Sequence, residues 1–256
     1  MSNALKLLAG LFMAISLVSC AVRMPEVSVL PNKSGIECSS FSFVPEHNLR
    51  GGMSQNPDVP PAMVAQITRL KPIQTKGERY MIAPAGMLQV VSLEQPHRFP
   101  ECERNRKELL QMMKDHGSHI GRYNRVPETP GANASQIFFG KLKLQEFPWG
   151  KGFVFLTTYI NGNTDCLVNN DMLVLTLQGL TADERFAVSG HFAISHPKLP
   201  DTMHDKRGGP FVAFAIDDNR DCVRAEAWLD RQSDDSFQPS IPCYMEMLSQ
   251  LKIGAK

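Results

Sequence analysis

Apolar residues are distributed along this chain in short runs separated by turn residues, and the order is clearest from Gln136 to Ile216. Five strand-like runs follow one another there: Ile137–Glu146, Phe153–Ile160, Met172–Leu177, Phe186–Ile194 and Phe211–Ile216. Pro148-Trp149-Gly150, Asn161-Gly162-Asn163, Thr181-Ala182-Asp183-Glu184 and Gly208-Gly209-Pro210 supply the turns between them. Short connections between adjacent strands predict an antiparallel meander and argue against βαβ units. Upstream, Ser40–Phe43 alternates polar with aromatic, and Asn48–Pro61 is a loop by its Gly, Pro, Asn and Ser content. Arg79–Ile82 and Met87–Val91 read as two strands joined at Pro84-Ala85-Gly86.

Two segments carry the helical period. Over Glu101–His116, Leu109, Met112, Met113 and His116 share a face, acidic residues open the segment and Gly117 closes it. Near the C-terminus, Ser240 is placed as an N-cap before a stripe of Tyr244, Met247, Leu248 and Leu251. The expectation is a single α+β domain: a central antiparallel β-meander, one mid-chain helix and a C-terminal helix packed on the sheet. Asp217-Asp218-Asn219-Arg220-Asp221 is dense in oxygen ligands but lacks the glycine and terminal glutamate of a calcium loop. It reads as a polar turn after a strand.

Leu7–Val18 is apolar except for Gly10 and Ser16, follows Lys6, and ends at Leu17-Val18-Ser19-Cys20. This run is too short to cross about 30 Å of hydrocarbon and reads as the core of a signal peptide. Its ending resembles the lipobox of bacterial lipoproteins, which implies cleavage before Cys20 and lipidation of that cysteine. The expected organisation is a signal peptide over 1–19, a lipidated N-terminus and tether over 20–37, and a domain over 38–256. Ala21 after the cysteine, in place of Asp, resembles the sorting rule for the outer membrane, facing the periplasm, rather than the inner membrane.

Lys6 is the one charged residue ahead of Cys20, so the processed chain balances 26 Lys+Arg against 26 Asp+Glu. That balance gives no basic excess for a nucleic-acid partner. Membrane contact is expected through lipid at Cys20, with an envelope protein or polymer as a further partner. Of the remaining cysteines, Cys38, Cys102, Cys166, Cys222 and Cys243, none forms a C-x-x-C pair, which argues against a redox site and a zinc knuckle. In an oxidising compartment, Cys166 and Cys222 are the first candidates for a disulfide and Cys38–Cys102 the companion, leaving Cys243 buried on the last helix.

No catalytic residue, metal site or cofactor site is assigned. G-x-S-x-G, phosphate-cradling and H-E-x-x-H patterns are all missing from the sequence. In Phe186–His196, the residues Phe186, Val188, Phe192 and Ile194 share one strand face. His191 lies on the other face beside Ala187 and Ala193, and His196 leaves at the strand end, so the two do not converge on a metal. A hydrolase acting on an envelope polymer is the alternative. It requires His191 or His196 to meet Asp183, Asp201 or Asp205, with His204 in the same loop.

One further resemblance covers roughly residues 130–202. Gly150-Lys151-Gly152 with Phe155-Leu156-Thr157-Thr158-Tyr159, then Gln178-Gly179-Leu180-Thr181-Ala182-Asp183, then His196-Pro197-Lys198-Leu199-Pro200, resemble a family of uncharacterised bacterial secreted proteins and lipoproteins. In that family a glycine follows the turn aspartate, where this chain has Glu184. An arginine is usual where this chain has Val154. The resemblance implies compartment and domain class and no activity.

Overall fold

The computed structural model describes residues 24–30, 36–44, 60–69, 86–115, 125–131, 134–160, 168–202 and 219–254. The side chains of 37, 68, 69 and 219–222 fall outside that description. The fold is α+β, built among the described residues on a nine-stranded antiparallel sheet. Strands β2 (Glu37–Cys38) and β3 (Ser42–Val44) lie end to end along β4 (Ala62–Arg69), which pairs with β5 (Gly86–Ser92). On the other side, β6 (Ser135–Gln136) and β7 (Gly140–Phe147) lie along β8 (Gly150–Ile160), followed by β9 (Leu173–Thr181) and β10 (Phe186–Ala193). These are two meanders, and β10 closes the sheet by pairing with β5 from Phe186↔Ser92 to Phe192↔Gly86.

The central strands are covered on both faces, so they read as nearly continuous apolar or neutral runs rather than as strict alternation. On one face, Leu173, Leu175 and Leu177 pack with Leu156, Val188, Phe192 and Leu88. Helices α2 (Asn219–Arg231) and α3 (Ile241–Ser249) lie over this face through Leu229, Tyr244, Met247 and Leu248. Tyr244 stacks on Phe192 at 5.1 Å between centroids and donates its hydroxyl to the Ala193 carbonyl at 2.5 Å. On the opposite face, α1 (Pro100–Asp115) presses Leu109, Met112 and Met113 onto Phe153, Phe155, Leu180 and Ala187.

The mid-chain helix and the C-terminal helix form where the apolar periodicity places them. Ser240 precedes α3 in extended conformation, but its hydroxyl goes to the Cys243 sulfur at 3.2 Å instead of capping a backbone N–H. The hairpin tip Pro148-Trp149-Gly150 is packed, not exposed. Trp149 is buried, stacks on Phe147 at 4.8 Å and donates Nε1–H to the Leu248 carbonyl of α3 at 2.9 Å. Gly152 and Gly179 face each other across β8 and β9. A Cβ on Gly179 would stand 3.0 Å from the Trp149 ring and 2.8 Å from the Lys151 carbonyl, so glycine is what lets the indole lie down there. The β9–β10 turn holds Glu184 at φ 56°, the left-handed region that a glycine would enter without strain. Its carboxylate meets Arg106 of α1 at 3.0 Å, so the turn keeps its shape and gains a tie to the helix.

Several expectations are corrected. The presumed tether over 20–37 contains β1 (Glu26–Val29), which pairs antiparallel with β11 (Leu251–Gly254) and buries Val27; folded chain therefore begins before residue 38. Leu251 belongs to β11 and not to α3. Strand β4 has no counterpart in the sequence reading, because Ala62, Ala65 and Gln66 dilute its apolar signal. Residues 219–221 open α2 instead of forming a turn, and Cys222 lies within that helix instead of a loop. Cys38 is a free thiol lying 3.5 Å from the Met247 sulfur, with its pKa pushed up to about 11 by burial, so the Cys38–Cys102 bridge is not formed. Cys102 sits buried on α1, and Cys243 is half-buried on α3. Arg79–Ile82, His116, Cys166 and Phe211–Ile216 lie outside the described residues.

Trp149 joins the β7–β8 hairpin to α3, so Trp149→Ala should cost about 3–5 kcal/mol in urea-induced unfolding. A loss below about 1 kcal/mol would contradict that role.

Candidate functional site

The face of the sheet beneath α1 is apolar for only half its length. Beyond Leu180 and Ala187, the same period-two positions become Gln178 and Thr176 on β9, Ser189 and His191 on β10, and Gln89 on β5, with Tyr159 on β8. All of them are buried. Buried polar groups require partners, and a strap at Val126–Thr129 laid across the strands supplies partners for Gln178 and Tyr159.

Gln136 fixes the strap by accepting from the Val126 N–H at 2.9 Å and donating to the Val126 carbonyl at 2.7 Å. Asn105 of α1 donates to the Glu128 carbonyl at 2.7 Å, and Gln178 accepts from the Thr129 N–H at 3.2 Å while donating to Ser189 at 2.9 Å. The Glu128 carboxylate receives Gln136 Nε2–H at 2.6 Å and a short bond from the Tyr159 hydroxyl, which lies 3.5 Å from Thr176 Oγ1. Burial, then the neighbouring Glu128 charge, raises the Tyr159 pKa well above its ordinary value, so the phenol stays protonated and acts as a donor. His191 meets the Tyr159 ring edge-on at 5.3 Å. Among the described residues its Nε2 is buried with no hydrogen-bond partner, as is Thr129 Oγ1, and burial lowers the His191 pKa to about 4. At neutral pH the cluster therefore presents hydroxyls, amides, one carboxylate and a neutral imidazole. It is equipped to hydrogen-bond a polar group and holds no histidine poised near pH 7.

His191 takes the strand face expected of it, and His196 ends up elsewhere. The His196 ring sits between Trp228 and Phe237, each 5.0 Å away, and 3.0 Å from Ser236 Oγ. Asp183 accepts from the Thr181 hydroxyl at 2.7 Å and from the Arg185 N–H at 3.2 Å, bonds that hold its carboxyl below the usual range and close the turn. Asp201 accepts from Asn170 at 3.2 Å. The histidine–aspartate meeting required by the hydrolase alternative thus does not occur among the described residues, and His204 and Asp205 lie outside them. Among the described residues no three His, Cys, Asp or Glu side chains gather as a metal site would need. Cys20 also lies outside them.

Asn105, Glu128 and Gln136 carry no motif in the sequence, and Gln178 stands out there only within the Gln178–Asp183 segment. A signal existed in Thr157/Tyr159, Thr176/Gln178 and Ser189/His191, polar pairs at period two on three successive strands. Ordinary alternation assigns such pairs to solvent, whereas here the strap covers much of the row. No protein-family model, no curated protein and no solved structure matches this chain.

Two outcomes test the cluster. Tyr159→Phe removes a donor from the Glu128 carboxylate at a buried site and should cost about 1–3 kcal/mol in chemical denaturation. His191 should also make stability pH-dependent. Its folded pKa lies below the unfolded 6.5, so the unfolded chain binds the extra proton. Its contribution is then full above about pH 6.5 and falls as pH drops toward 4, by on the order of 3 kcal/mol in total. Urea midpoints across that range should slope less steeply in His191→Gln, and an unchanged slope would contradict the assignment.

Proposed function

We propose that this protein is a lipid-anchored binding or accessory module of a bacterial cell envelope, held at Cys20 and acting without catalysis. The observation that carries the reading is the Leu17-Val18-Ser19-Cys20 sequence directly after an apolar signal core. Two structural features support it. First, β1 begins at Glu26, so only five residues separate the lipidated cysteine from paired strand. At about 3.3–3.6 Å per residue, the anchor would keep the domain within roughly 20 Å of the bilayer surface. Second, the buried polar row at Glu128, Tyr159 and His191 offers hydrogen bonds without a nucleophile–base pair, which fits recognition better than hydrolysis. Ala21 supports an outer-membrane destination facing the periplasm, and the membrane partner is reached through lipid.

The test is metabolic labelling with a fatty acid, followed by fractionation. The wild-type chain should incorporate label and sediment with the outer membrane, and a globomycin-type block should leave it as a larger precursor. Cys20→Ala should lose the label. An unlabelled wild-type chain in the soluble fraction would overturn the proposal.

A further inference from the structure

The end of β10 continues into a strap, Ile194–Asp201, on which α2, the 3-10 turn Asp234–Ser236 and Phe237-Gln238 are docked. Two things hold the docking. Ser195 and Gln238 exchange backbone hydrogen bonds at 3.0 and 2.9 Å. Beside that bridge, His196 is buried to 1 % exposure, with its ring edge-on to Trp228 of α2 and to Phe237. The polar contacts of the ring determine its proton. Nδ1 accepts the Lys198 N–H at 3.2 Å, so Nε2 carries the hydrogen and donates it to Ser236 Oγ at 3.0 Å. Ser236 passes its own hydroxyl to the Ser233 carbonyl at 2.6 Å, and the His196 N–H donates to Asn170 Oδ1 at 2.8 Å. Every polar atom of this histidine's ring is thus committed in the neutral tautomer, and only in that tautomer.

We propose that His196 is an acid-sensitive clasp, whose protonation at Nδ1 releases the docking of α2 and the 3-10 turn on the Ile194–Asp201 strap. A proton on Nδ1 takes the lone pair that receives the Lys198 N–H and sets two donors against each other. The charges around it do not relieve this. The strap carries Lys198 and Asp201, the 3-10 turn Asp234 and Asp235, α2 Arg224, Glu226, Asp230 and Arg231, and the segment before β9 Asp171. Asp234 is tied to Lys141 and Lys143, Asp201 is bonded by Asn170, and among the described residues the charge that acts on the ring is the Lys198 ammonium, which opposes a second cation. Burial is the larger effect and, with Lys198, lowers the pKa to about 4, so protons compete with the clasp as pH falls below the ordinary histidine range.

The device differs from global acid unfolding because the groups it frees belong to one contiguous patch. The test is hydrogen exchange of the full chain at pH 7 and pH 4.5, with rates corrected for intrinsic pH dependence. Tryptophan emission of Trp149→Phe, in which Trp228 is the remaining indole, is followed in parallel. Protection of the Ser195, Lys198, Leu199 and Gln238 amides should fall at least tenfold at pH 4.5 and lie well below that of the β5 and β8 amides, which lose only the global stability that protonation of the buried histidines removes. Trp228 emission should change over the same range. His196→Gln keeps a donor for Ser236 and takes up no proton, so its protection at this patch should be lower at pH 7 and flat with pH. His196→Gln retaining the wild-type pH response would overturn the proposal, as would protection at the patch equal to that at β5 and β8 at pH 4.5, since both would then exchange through one global opening. If His196→Gln does not fold, Ser236→Ala serves: it removes the acceptor of Nε2–H and leaves the titration intact. The pH response must then persist on a lower baseline, and its disappearance overturns the assignment of the proton to Nδ1.

Discussion

The pairing of β5 with β10 is the contact on which the remaining architecture rests. Each meander is local: β2 to β5 in one, β6 to β10 in the other, joined through α1. Neither has its hydrophobic faces fully enclosed alone. When Phe186–Phe192 aligns with Gly86–Ser92, Leu88 and Val90 complete the layer begun by Leu175 and Leu177, and Val91 joins Leu180 and Ala187 beneath α1. A one-residue slip would send His191 and Ser189 into the aliphatic layer and Val188 and Phe192 into the polar row, so the register is specified by both faces at once.

The two faces spend their burial differently. The face under α2 and α3 is aliphatic and aromatic throughout, and it supplies the hydrophobic stabilisation. The other face is divided between an apolar half under α1 and a polar half under the Val126–Thr129 strap. A hydrogen-bonded layer of this kind adds little net stability per bond, yet each broken bond leaves a buried group unsatisfied. Its effect is to fix orientation: Asn105 sets α1 against the strap, Gln136 sets the strap against β6, and Gln178 sets it against β9.

Period-two and period-3.6 patterns carry local information, and what they describe is what the sequence reveals here. The meander, α1 and α3 are legible because Leu109–Met113 and Tyr244–Leu248 repeat at helical spacing and the turns hold Pro, Gly or Asn. α2 is harder to see, since Arg224, Glu226 and Asp230 interrupt its apolar residues and the acidic opening looks like a loop. β1 and β11 are four residues each and owe their form to each other across nearly the whole chain, which no local window contains. The polar row fails for a third reason. Its residues alternate as a solvent-facing stripe should, and the strap that covers them comes from Val126–Thr129, where Pro127 and Pro130 give only a loop signal. Glu184 shows the converse, a turn in which a side chain adopts the backbone angle of a glycine and pairs with Arg106.

The pairing of Glu26 with Gly254 and of Val29 with Leu251 has a consequence for the order of events during synthesis. A strand at residues 26–29 finds its partner at residues 251–254, so its pairing waits until both have been synthesised. Loop closure over such a span is slow compared with the hairpins of the meanders. β1 is then among the last strands to be secured, and Glu26–Val29 is tied to the fold only after both meanders can close.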